Sequence, residues 1–136
     1  MYRFAAAFAG MIVLAGPALA DPPRHDTILT TLDQFMIARS VSAKCGRADA
    51  ATVSSFQRHY RLVTEQAMVA LKALSSDLTQ DRIEKVMADH YSEIDRRVIA
   101  IIAQESCDGS HIKEALQKYD SVANAADTQL MADKNN

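Results

Sequence analysis

The chain has 136 residues, 49% of them apolar, and its 15 Lys and Arg are interspersed with 17 Asp and Glu for a net charge of -2. That length suits one domain with a core of useful size, and the charge balance provides no basic patch for nucleic acid or an anionic membrane surface. No low-complexity stretch, charge block or internal repeat interrupts it.

The first twenty residues read as a secretory signal. Arg3 supplies a short positive n-region, Phe4 to Gly16 form an apolar run, and Ala18-Leu19-Ala20 offers a small-x-small cleavage site. A retained membrane anchor needs roughly 18 or more apolar residues, and Asp21-Pro22-Pro23-Arg24 cuts this run short. The expectation is therefore a cleaved signal at 1–20 and a single helical domain at 21–136, periplasmic or secreted, with no membrane span after cleavage.

Taken in chain order, Asp26-Thr27 opens a first helix, in which Ile28, Leu29, Leu32, Phe35 and Met36 recur at spacings of three and four. Its predicted span is 27–44, stopped by Cys45-Gly46 with the glycine in a left-handed cap. Asp49 is a suitable N-cap for a second helix over 50–75. There Val53, Phe56, Tyr60, Val63, Ala67, Ala70 and Leu74 make a heptad-like seam. Thr79 caps a third helix, predicted over 80–106, with Ile83, Met87, His90, Ile94, Val98 and Ile101 as its stripe. Ser110 caps a fourth over 111–131, where Ile112, Leu116, Tyr119, Ala123, Ala126 and Leu130 again step by three and four.

Four amphipathic segments with short connections predict an all-α fold, an up-down-up-down antiparallel four-helix bundle. In that topology the C-terminal ends of the first and third helices share one end of the bundle, which is where Cys45 and Cys107 fall. In an oxidising compartment such a pair reads as one disulfide, the alternative being two buried free thiols. The alpha-carbon separation a disulfide needs, roughly 4.4 to 6.8 Å, is within reach of those two ends.

His90 occupies the stripe of the third helix between Met87 and Ile94. An imidazole there serves either as a core residue with one satisfied hydrogen bond or as a ligand for a metal or small molecule. Further metal ligands would have to come from Glu93 and His59. If the second and third helices turn near Asp77 and lie face to face, His90 comes opposite Thr64, His59 opposite Asp95 and Arg61 opposite Glu93. The two histidines are then offset by roughly 7 Å along the axis, too far to share an ion.

Other chemistry lacks its pattern. The sequence holds no pair of Glu-x-x-His motifs for a di-iron centre, no histidine-supported nucleophile, no Gly-rich phosphate loop and no Cys-x-x-Cys-His for covalent haem. No catalytic residue and no cofactor are assigned.

A second apolar face stands out on the middle two helices. Leu62, Met68 and Val69 lie off the seam of the second, and Val86, Ile99 and Ile102 off that of the third. Such residues either widen an intramolecular core or form a surface for a partner. The expected function is an exported protein-interaction module, such as an inhibitor, immunity protein, chaperone or adaptor, meeting another protein or a second copy of itself as a homodimer. The alternative is a metal- or small-ligand-binding bundle built around His90.

Overall fold

The computed structural model describes residues 25–46 and 48–125. The expected signal peptide at 1–20, and Ala126 and Leu130 of the expected fourth helix, lie outside the described residues. Four helices make up the fold: α1 (His25–Cys45), α2 (Ala50–Leu74), α3 (Gln80–Glu105) and α4 (Ser110–Asn124). They pack against one another, and no strand occurs among the described residues. Cys45, the last residue of α1, is disulfide-bonded to Cys107, just past α3, with alpha carbons 5.4 Å apart.

α1 is the hub. Leu32, Phe35, Met36, Ala38, Ser40 and Val41 are all buried, and at 100° per residue they are spread around most of the helix rather than along one stripe. Buried positions spread so widely around a helix need neighbours on several sides, and α1 packs against each of the other three. α2 and α4 also pack closely on each other, whereas α3 rests mainly on α1 and meets α2 and α4 only lightly. The face-to-face pairing of the second and third helices expected from the turn near Asp77 is thus corrected: α3 takes its main partner from α1, because α4 occupies the flank of α2.

The core has two parts. In one, Leu32, Met36 and Val41 of α1 meet Ala67 of α2, Ile83, Met87, Ile94 and Val98 of α3, and Ile112 of α4. The other is an aromatic junction of α1, α2 and α4, built from Phe35, Ala38, Phe56, Tyr119 and Ala123. The rings of Phe56 and Tyr119 stack with centroids 3.9 Å apart, and Phe35 lies 5.7 Å from Phe56. Beside them the Ser55 hydroxyl donates to the Ala123 carbonyl at 2.6 Å, tying α2 to α4.

Helix ends follow the expected capping at two places and depart from it at two. Asp49 Oδ1 accepts from the Thr52 amide at 2.8 Å and Thr79 Oγ1 accepts from the Arg82 amide at 3.3 Å. Ser110, expected as a cap, is instead the first helical residue; Gly109 holds the cap position with no side-chain bond. A Cβ at 109 would collide with the Glu105 side chain, so this tight turn admits glycine and forgoes a capping side chain. Gly46 likewise ends α1 without the expected left-handed conformation. Its requirement is space, since a Cβ would come within 2.6 Å of the Ser42 carbonyl oxygen. The positive φ belongs to Ser106, at φ 61° and ψ 179° directly after α3, a region that is essentially glycine's own.

Candidate interaction groove

Because α3 leans on α1 and barely touches α4, a channel of about 650 Å³ runs between α3 and α4 with α1 as its floor. Ile37 and Val41 come from α1, Val98 and Ile101 from α3, and Ile112 and Ala115 from α4. These apolar side chains line the bottom, while Gln34, Glu114, Gln117, Lys118 and Ser121 add polar groups. A concave, mostly apolar site with a few polar groups, in the range of roughly 300 to 1,000 Å³, is the usual form of a ligand site. Ile37 is 40% exposed, an apolar side chain left open to solvent on the helix that carries much of the core. His111 stands at one end, its Nδ1 2.6 Å from Glu105 Oε1.

The opposite flank of the α1–α3 contact is braced by polar groups. The Ser40 hydroxyl, completely buried, donates to Asp95 Oδ1 at 2.6 Å, and Lys44 Nζ binds the same carboxylate and Ser40 Oγ. The hydrogen bonds from Lys44 and then Ser40 hold the Asp95 carboxyl below the usual carboxylate range. Nearer the start of α3, His90 Nε2 meets Asp33 Oδ1 at 2.6 Å. The Arg39 guanidinium lies 4.8 Å from the Tyr60 ring centroid and 5.1 Å from that of Tyr91, bridging α2 and α3 across α1.

Ser40 and Lys44, four residues apart with a carboxylate beside them, superficially resemble a Ser-Lys nucleophile pair. The geometry serves bracing instead. Ser40 is sealed from solvent and gives its proton to Asp95, and Lys44 is engaged with that same carboxylate. A nucleophile must reach substrate, and its base must be free to take a proton.

The sequence-predicted site residues are dispersed. His90 is exposed rather than seated in the core; a step of four from Met87 reaches Tyr91, which packs against the core in its place. Glu93 pairs with Arg97 one turn along α3 instead of with Arg61. His59, expected opposite Asp95, is buried on α2 with 4% exposure, and Asp95 turns to α1. No group of three His, Cys, Asp or Glu side chains suited to a metal ion forms among the described residues.

The second apolar face divides. Met68 and Ile102 pack against the core, and Leu62 is half-buried. Val69, Val86 and Ile99 are exposed, at 71%, 48% and 50%. The groove itself escaped sequence reasoning. Its signal was there in Ile37 and Val41, four residues apart on α1 and off the stripe through Leu32 and Met36. No described helix is long and apolar enough to cross a membrane. Comparison with protein families, with characterised proteins and with solved structures finds no match to this chain.

Proposed function

We propose that the protein is an exported interaction module that takes an apolar segment of a protein partner into the α3–α4 groove. The observation that carries this is the channel of about 650 Å³ lined by apolar side chains of three helices with polar groups among them, in which Ile37 is exposed and Ile101 and Ala115 are half-buried. Sites of that make-up gain affinity from area removed from water and orientation from the rim. The disulfide and the signal-like first twenty residues support an oxidising compartment outside the cytoplasm. The partner is a different protein in this reading; a second copy of the chain is the other outcome to test.

Photo-crosslinking reads this directly. A benzophenone group placed at Gln117, on the groove, should capture one partner segment in extract from the producing cell, and Ile37→Asp should abolish the capture. The same group at Asp81, away from the groove, should capture nothing. Equal capture at both positions, or capture that survives Ile37→Asp, overturns the proposal. A chain that crosslinks only to itself, with twice the monomer mass by light scattering, replaces the hetero-partner with a homodimer.

A further inference from the structure

α3 differs from the other helices in how it is held. Its stripe of Ile83, Met87, Ile94 and Val98 is buried mainly over α1, and it contributes nothing to the aromatic junction that joins α1, α2 and α4. Its polar ties are Asp95 to Lys44 and to the buried Ser40 hydroxyl, His90 to Asp33 and Tyr91 to Arg39; the two ion pairs among them involve side chains with solvent access, where such pairs contribute little each. One covalent tie remains. Cys107 anchors the far end of α3 to Cys45, and of the two, Cys107 is exposed while Cys45 is half-buried against the core.

From this arrangement we infer that the Cys45–Cys107 disulfide is a redox latch, whose reduction frees α3 from α1 while α1, α2 and α4 stay folded together. The reductant is a dithiol. One of its thiolates attacks the accessible Cys107 sulfur, forming a mixed disulfide as the bond to Cys45 breaks; Cys45 leaves as a thiolate and takes up a proton. The second thiol of the reductant closes onto the first sulfur, displaces Cys107 as a thiolate that is then protonated, and leaves as a cyclic disulfide. Two electrons and two protons have passed to the protein. Ser106, held at φ 61° beside Cys107, then relaxes as the end of α3 is released. Lifting α3 uncovers Leu32, Met36 and Val41 on α1 together with its own apolar stripe, a far larger apolar surface than the closed molecule presents.

Hydrogen exchange followed by mass spectrometry tests the latch, on the whole protein with and without dithiothreitol. After reduction, amides of residues 83–102 should exchange at least about tenfold faster, while those of α2 and α4 change less than about threefold. Reoxidation should restore protection. The Cys107→Ser variant, without reductant, should show the same localised acceleration. Acceleration of all four helices together means that the disulfide holds the whole fold and overturns the inference. So does unchanged protection of α3 in either the reduced protein or the variant.

Discussion

The two sides of α1 are joined to the rest of the molecule by different forces. Toward α2 and α4, the junction is a cluster of aromatic rings, Phe35, Phe56 and Tyr119, whose stability comes from area removed from water and close packing. Toward α3, an apolar stripe is supplemented by directional groups: the buried Ser40 hydroxyl, the Asp95 carboxylate, Lys44, and the Arg39 guanidinium between two tyrosines. The first kind of contact has neighbours on three helices and closes completely. The second fixes α3 at a chosen angle on α1 and leaves space beside it, so the groove is a consequence of how α3 is attached.

Breaking the aromatic junction should have the largest effect. Phe56 is fully buried, stacks on Tyr119 of α4 and packs at a tilt against Phe35 of α1. Phe56→Ala is expected to cost about 3 to 5 kcal/mol, much of an ordinary domain's stability, visible as a large fall in the urea midpoint. A loss under about 1 kcal/mol would mean that the junction is not a core.

The α3 brace should respond to pH where the aromatic junction does not. Asp95→Asn is expected to cost about 1 to 2 kcal/mol at neutral pH by weakening the bonds to Lys44 and Ser40. The Asp95 carboxyl lies below its usual value in the folded protein. Its contribution is therefore fully present above the unfolded carboxylate pKa of about 3.9 and is lost as pH falls through the lower folded value. The stability difference between wild type and Asp95→Asn in urea melts should hold from neutrality down to the unfolded carboxylate range and shrink as the pH is lowered further. Asp49, held low by the Thr52 amide and hydroxyl, shifts in the same direction, so acid lability will shrink in the variant without disappearing.

The smallest effects concern the caps of the helices flanking the groove. Thr79→Ala removes a hydroxyl that accepts from the Arg82 amide and should lower stability by about 1 kcal/mol. Ser110→Ala removes no cap and should change it by less than about 0.5 kcal/mol. Equal losses in thermal melts would return Ser110 to the capping role its sequence position suggested.

Much of the helical framework was legible in the sequence, and the reasons are local. Spacings of three and four located four helices, and Asp49 and Thr79 marked their starts, because a cap acts within one turn. The Cys45–Cys107 pairing followed from an even pair of cysteines in an expected oxidising compartment, both close to helix ends. Neighbour relations were less legible. Consecutive helices suggest contact through a short turn, yet α3 packs on α1, a preference written in the wide spread of buried positions around α1 rather than in any stripe of α3. His90 and Tyr91 show the same limit at one residue: a step of three or of four from Met87 is equally permitted, and only packing selects Tyr91. The groove left only a faint local signature, Ile37 and Val41 off the main stripe of α1, because it forms where α3 and α4 meet only lightly.

The attachment of α3 to α1 is tested most directly by double-mutant cycles. The cycle joining Ser40→Ala and Asp95→Ala should give a coupling of about 1 kcal/mol, while the one joining His59→Ala and Asp95→Ala should give none beyond about 0.3 kcal/mol. Coupling of Asp95 to His59 rather than to Ser40 would place α3 against α2 and contradict the arrangement from which the groove and the latch both arise.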